Sequence, residues 1–490
     1  MYNSIIYFKE HCIKNIEKLE DAFLKHPQNF AEYIYGITHE LYQVGIEMIR
    51  DSLENMDQML CESVFRQGIW TIEAHHTKTL TTSLGDVTFQ KTLFFNKQTK
   101  KSCYLLDRVL GLKRNQRLTE DAVARMLEEA VQTSYERGAK QASITTQVSR
   151  QTVKNKIHSL KFPFEQNTPE EKKKVDYLYI DADEDHVALQ FQEKKGDLTK
   201  AQNGVKNNGL ITKMVCIYEG KKEETLHGKR KVLTNRHCFC GVNHGEANKQ
   251  FWDDIFCYLE KNYDLEHVKK IYLNADGGSW IKAGLRRLGG ISYVLDGFHL
   301  EKYLIKLVPH LRKEARTEAL EAFRNTIRKK TKTDFRKLVE EQKKGMPLWR
   351  KQTKVEEAEE YILSNWTAAK LRLQHKKGVL GSSTESHVSH ILSARMSSRP
   401  MGWSKQGAAK MAELRAYYVN GGDMLKLVRY QKKRSAKACR GEEMILSSAE
   451  ILASEKTRHR ELGKYMECMT HSLSIQAKKK LNFQAQIWGL

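Results

Sequence analysis

The sequence predicts an α/β fold: a mixed sheet that begins near residue 171, follows a mainly helical region, and is interrupted by an all-α insertion before it is completed. Three observations predict it. Hydrophobic runs at 177–190 and 268–276 carry or end on carboxylates, which is how an α/β sheet presents acids to a ligand. Strand-like and helix-like periodicities alternate from 177 to about 300. The alternation then gives way to a helical block rich in Lys and Arg at 300–375, after which GVLGSSTESHVSHIL resumes the sheet-associated chain.

Taken in order, residues 1–75 read as helices, because apolar residues recur at helical spacing through NIEKLEDAFL and AEYIYGITHELYQVGIEMIRDSL. Alternation in LTTSLGDVTFQKTLFFNKQTKKSCYLL, with Gly85-Asp86 as a turn, predicts a small hairpin or meander. Helical periodicity returns at TEDAVARMLEEAVQTSYERGAKQ. In the stretch that follows, a turn near Val148 and a helix opened by Ser149 would form a helix-turn-helix. Arg150, Gln151, Lys154 and Asn155 would then stand where side chains reach phosphates and base edges; the plain alternative is a helical hairpin capped by Ser149.

Two of the six prolines and a charge cluster at 161–174 mark a domain boundary. Beyond it come strands at 177–191, Ile211–Glu219 and Lys231–Cys240, a helix over 246–261, a strand at 268–275 and a helix from Ser279. A strand Ile291–Leu295 and a helix from about Phe298 complete the series. Three consecutive strands, read as antiparallel, followed by alternating helix and strand, is the order of a ribonuclease-H-like mixed sheet. The expected divisions are 1–115, helical with a small hairpin; 116–170, the DNA-binding helices; 171–305, the first part of the core; 306–375, the basic insertion; 376–425, the second part of the core; and 426–490, a helical tail.

The charge narrows the partner. Against 60 Asp and Glu stand 83 Lys and Arg, a formal excess of +23, and cations in that number release counterions when they meet a polyanion. Nine cysteines in no regular spacing read as reduced thiols of a cytoplasmic protein. His237, Cys238, Cys240 and His244 fit no common zinc spacing. The start of the chain has no leader pattern, and no apolar run nears the roughly 20 residues that span a bilayer, so no membrane partner is expected.

The acids carry the chemistry. Phosphodiester cleavage and transfer need an activated oxygen nucleophile and a stabilised leaving oxygen, which two Mg²⁺ (or Mn²⁺) ions on carboxylates supply. Asp181 and Asp183 share a strand face by their period of two; Asp183 is favoured, with Asp181 as the alternate. Asp276 closes VKKIYLNADGG ahead of two glycines and a helix. Asp296 and His299 in VLDGFHL read from composition as a helix cap with a half-buried His. Ser382 and Glu385 read as a capping box, and catalysis by Glu385 is the competing reading. Arg395, Arg399, Trp403 and Lys405 follow, a basic and aromatic set suited to phosphates and an unpaired base.

DADEDHVALQ, NADGGSWIK, LDGFHLEKY and ESHVSHILSARMSSRPMGWS together resemble transposases of the ISLre insertion-sequence family, in the Mutator-like DDE group. The likeness covers most of the chain. Asp296-Gly297-Phe298-His299 is similar to that group's C/D-x-x-H signature, and the block at 300–375 to its helical insertion. The resemblance implies catalytic, metal-holding Asp183, Asp276 and Glu385, with Asp296 and His299 as an associated pair. It implies cleavage and strand transfer of the element's own DNA, with terminal inverted repeats and target duplex as partners. A bacterial cytoplasmic protein is expected, nucleoid-associated on DNA, and joining two ends calls for a homodimer or higher assembly. An inactive DNA-binding regulator, and a glycosyltransferase using Asp181-Ala-Asp183 as a D-x-D motif, are the competing classes.

Overall fold

The computed structural model describes residues 3–163, 171–190, 209–225, 228, 230–287, 290–344, 349–374, 378–381 and 384–436. The chain divides into two compact units. One holds the residues up to Met126 together with Glu136–Ser149; the other holds Leu127–Tyr135 and Arg150–Tyr430. The chain passes between the units at Met126–Leu127, Tyr135–Glu136, Ser149–Arg150 and Tyr430–Gln431. No helix among the described residues is long and apolar enough to cross a membrane.

In the first unit a helix Phe30–Glu62 lies against a three-stranded antiparallel meander: β1 (Trp70–Thr81), β2 (Asp86–Asn96) and β3 (Ser102–Tyr104). Ile46, Leu60, Trp70, Leu80, Val87, Phe89 and Phe94 form the core between them. β1 begins at Trp70, so the helical reading of residues up to 75 is corrected. The apolar side chains of Trp70 and Leu80 turn inward while most polar positions between them face water, Lys78 excepted, which pairs with Asp107 at 3.0 Å.

The second unit is built on a mixed five-stranded sheet of β4 (Tyr177–Ala188), β5 (Gly209–Tyr218), β8 (His237–Gly241), β9 (Lys270–Ala275) and β10 (Ile291–Leu295). Its order is β10-β9-β4-β5-β8; β5 is antiparallel to β4 and β8, whereas β9 and β10 run parallel to β4. A separate ribbon joins β6 (Gly220–Glu223) to β7 (Lys231–Thr234). The single strand expected over 231–240 is thus two, broken at Asn235, whose φ of 51° no strand sustains. One face of the sheet buries Leu178, Ile180, Ala182 and Leu273 under helices Glu246–Asn262 and Ser279–Arg287. The other carries stacked tyrosines, Tyr179, Tyr218 and Tyr272.

The insertion is helical as expected: Gly297–Leu307, Lys313–Lys329, Lys332–Lys344, Trp349–Ser364 and Trp366–Leu373. Leu300, Leu304, Phe323, Phe335, Val355, Ile362 and Trp366 share one core, and Leu295 of β10 belongs to it. The block is therefore continuous with the sheet edge. Of the 426–490 tail, the helix Met424–Ala436 is described, and 437–490 lie outside the described residues.

One expectation about sulfur is corrected. Cys216 and Cys238 are register partners on β5 and β8, both buried, and their sulfurs form a disulfide, which corrects the reading of every cysteine as a free thiol. His237 stacks on Tyr258, and burial holds its imidazole down to about pKa 4. No metal-holding group of His, Cys, Asp or Glu forms there or elsewhere among the described residues.

The helix-turn-helix expectation is corrected in its geometry. Helices run over Tyr135–Gln141 and Arg150–His158, and the residues 142–149 between them exceed the three- or four-residue turn of that motif. Arg150, Gln151, Lys154 and Asn155 are exposed, while Val153 and Ile157 turn inward. Gln151 Nε2 donates to Asn155 Oδ1 at 2.9 Å. Gln406, from the helix Lys405–Val419, donates to the His158 carbonyl at 3.2 Å.

Candidate active site

Register aligns the acids. Ala182 of β4 pairs with Ala275 of β9, and Ala275 pairs with Leu295 of β10. The next residue on each strand is Asp183, Asp276 and Asp296. Three carboxylates thus stand in a row across three adjacent parallel strands, one step beyond the last pairing. The Asp296 amide donates to the Ala275 carbonyl at 2.8 Å and ties the row together.

Asp181 lies two residues inside that row, opposite Asn274, and is fully buried. Its Oδ1 accepts from Tyr218 Oη at 3.1 Å and Asn274 Nδ2 at 2.8 Å, and its Oδ2 lies 3.4 Å from His387 Nδ1. Its oxygens are engaged inside the protein. Asp183 has a different setting: Oδ1 accepts the Glu184 amide at 2.8 Å, and the carboxyl is pushed up to about pKa 7. Burial is the main cause, and the charges of Asp276 and Glu385 add to it, while the Glu184 amide and His299 oppose it. Acids as far apart in the chain as Asp183 and Glu385 share one electrostatic field.

Asp276 is half-buried at the turn after β9. Its Oδ1 accepts the Gly278 amide at 2.9 Å, a geometry made possible by Gly277 at φ +93°. Asp296 is the N-cap of Gly297–Leu307, accepting the His299 amide at 3.1 Å, so the cap reading holds. The half-buried His299 ring also faces it, Nδ1 at 3.2 Å from Oδ2. That hydrogen bond, chiefly, raises the imidazole pKa, and the charges of Asp183 and Asp276 raise it further.

Glu385 is exposed on Thr384–Val388, the first part of a helical run that continues through a wider π-turn to Met396. His387 of that run faces Asp181 across to β4. Ser382, its expected capping-box partner, lies outside the described residues.

Two of the four downstream residues read as DNA contacts are corrected. Arg395 and Trp403 are buried at 4% and 6% exposure. The Arg395 guanidinium lies 5.0 Å from the Trp403 ring and donates to the Ala130 carbonyl at 2.9 Å. Burial brings it down to about pKa 10. Trp403 donates from Nε1 to the Met396 carbonyl, and its backbone bridges to the chain at the end of β4. Both hold the fold together and neither faces solvent. Arg399 and Lys405 are exposed.

Sequence reasoning missed Tyr361, Asn365 and Tyr293, which meet the Asp276 turn. Tyr361 Oη donates to the Asp276 carbonyl at 2.5 Å, and a Cβ on Gly277 would stand 2.8 Å from both Asn365 Oδ1 and Tyr293 Oη. The sequence carried no signal for these contacts, since Tyr361 and Asn365 sit in an unremarkable amphipathic helical stretch.

The profile of the family described as "Uncharacterised protein family (UPF0236)" matches residues 24–434. The chain belongs to the UPF0236 family. It is 33% identical over 436 residues to UPF0236 protein TTE2489 of Caldanaerobacter subterraneus subsp. tengcongensis, covering 88% of each chain. A second protein of that organism, TTE0402, matches at 33% over 437 residues, covering 86% of this chain and 83% of its own. A third, whose name joins designations from TTE0033 to TTE2212, matches at 33% over 418 residues, with coverage of 85% and 84%. Among solved structures, the Drosophila P element transposase strand transfer complex aligns at 13% identity over 66% of this chain and 83% of that one. Its TM-score of 0.23 is too low to bear on the site.

The candidate site has the donors a hard divalent cation takes: carboxylate oxygens from separate segments, one of them destabilised as an anion by burial first and by the charges of Asp276 and Glu385 besides. Among the described residues no three of these side chains already stand as a closed metal-holding group. In donor chemistry alone, carboxylate oxygens of this kind suit such an ion.

Proposed function

We propose that this UPF0236 protein is a DDE-type transposase of the ISLre kind, with a ribonuclease-H-like catalytic core that cuts and transfers strands of its own element. The observation that carries this reading is the row Asp183, Asp276 and Asp296 across β4, β9 and β10, with the Glu385 charge reaching Asp183. The strand order and the motifs of the sequence accord with it, as does the +23 charge. The name of one relative joins many designations within one organism, in keeping with a gene that recurs in its genome.

Asp183, Asp276 and Glu385 would hold two Mg²⁺ or Mn²⁺ ions, which when bound activate the attacking oxygen and neutralise the leaving one. Asp276 is fixed for this by the Gly278 amide, and the Asp183 carboxyl, held up to about pKa 7 chiefly by burial, would yield its proton to a bound cation. Asp296 orients His299, whose imidazole pKa that hydrogen bond raises beside the acids. The exposed Arg150, Gln151, Lys154, Asn155, Arg399 and Lys405 are the residues available to the DNA backbone and bases. A homodimer or larger assembly would bring two terminal inverted repeats together with target duplex.

The D-x-D reading is disfavoured because Asp181 spends its carboxylate on Tyr218 and Asn274, leaving Asp183 without its partner. An inactive regulator remains the competing class. Asp276→Ala separates the two: it should abolish Mg²⁺-dependent nicking of a duplex carrying the element's own ends while leaving end binding intact. Nicking that survives in the variant would overturn the assignment.

A further inference from the structure

We propose that the basic helical block positions a catalytic carboxylate, with Tyr361 as the residue that sets the Asp276 turn. This rests on the reading of Asp276 as a metal ligand.

Three consecutive residues of the turn are each met by a side chain. Tyr293 Oη donates to the Ala275 carbonyl at 3.4 Å, Tyr361 Oη to the Asp276 carbonyl at 2.5 Å, and Asn365 Oδ1 closes on Gly277. Tyr361 and Asn365 both come from the block, where Asn365 Nδ2 also donates to the Tyr361 carbonyl at 2.9 Å. The Tyr361 ring is stacked on Tyr303 at 3.7 Å between centroids, so its hydroxyl has little freedom. The contact reaches the carboxylate through the backbone. Holding the Asp276 carbonyl fixes the peptide entering Gly277, whose φ of +93° brings the Gly278 amide onto Asp276 Oδ1. Without the clamp, a glycine pair after a strand end is free to rotate, and the carboxylate rotates with it.

The block's helices also share a core with Leu295, the residue before Asp296, so two neighbouring acids of the row, Asp276 and Asp296, are braced by the same element. Tyr361 is a positioning residue: it touches the turn and not the reacting atoms.

Tyr361→Phe keeps the ring and its stack and removes only the hydroxyl. The test compares full-length wild type, Tyr361→Phe and Asp276→Asn by Mn²⁺ binding, read by electron paramagnetic resonance, and by amide hydrogen exchange at 276–278 without metal. The expected result is a melting temperature near wild type, faster exchange at Gly277 and Gly278, and Mn²⁺ affinity weakened about tenfold, the scale of one lost hydrogen bond. Asp276→Asn should weaken it more. Unchanged exchange and affinity in Tyr361→Phe, with affinity lost in Asp276→Asn, would overturn the clamp and leave the metal site standing. Mn²⁺ binding that is absent from wild type, or indifferent to Asp276→Asn, would overturn both.

Discussion

Asp183 is disfavoured as an anion twice over, by burial and by the negative charges of Asp276 and Glu385. An unfolded chain loses this proton near pH 4, whereas the folded protein keeps it to about 7. Between those values the folded state binds more protons, so metal-free stability falls as pH rises through the window and stays lowered above it. Asp183→Asn cannot ionise. In the presence of a chelator its melting temperature should exceed wild type at about pH 8 and match it at about pH 4; identical melting at both would show that Asp183 carries no such burden. Gly277 is the second test at this scale. A methyl group there must take φ +93° and stand 2.8 Å from two oxygens, so Gly277→Ala should cost at least about 2 kcal/mol in denaturant unfolding. The choice between Asp181 and Asp183 also belongs to this scale. Both lie on one strand face, and the Asn274 and Tyr218 bonds to Asp181 help separate their roles.

Among the elements, the helical run from Thr384 to Met396 shows how an exposed acid is held by buried neighbours. Arg395 anchors its far end on the Ala130 carbonyl and on Trp403, and Arg415 donates to the Ile391 and His390 carbonyls within it. A composition of Arg, Ser, Pro and Trp looked like a nucleic-acid surface because sequence gives charge without burial. Arg395→Ala should therefore lower the melting temperature by several degrees, with DNA affinity per folded molecule unchanged. A loss of affinity at full stability would return Arg395 to the surface role. The strands were legible where local pattern suffices: β10 spans the expected Ile291–Leu295, and β9 ends at Ala275 as the apolar run predicts. β1 was not, since polar residues on its exposed face obscure the alternation.

At the scale of the molecule, the basic block is part of the core and more than a charged appendage. Leu295, Leu300 and Leu304 are buried in it, and each is worth roughly 1.5–3 kcal/mol of burial. Replacing 306–375 with a short flexible linker should expose them and give a dye-binding species without a cooperative melt. A cooperative transition in that variant would mean the block folds apart from the sheet. The two compact units interleave along the chain, and one of their crossings is at Ser149–Arg150, where the sequence offered Ser149 as a cap.

By itself the sequence determined the alternation of strands and helices, the helical nature of the insertion, and the placing of Asp276 and Asp296 at strand ends. Each of these follows from the periodicity of neighbouring residues, which a linear reading contains. Only the tertiary structure decided which acid joins the row, which basic residues are buried, that Cys216 meets Cys238, and that Tyr361 holds Asp276. Those facts depend on register and packing between segments far apart in the chain, where contact is set by the assembled core and leaves no local pattern.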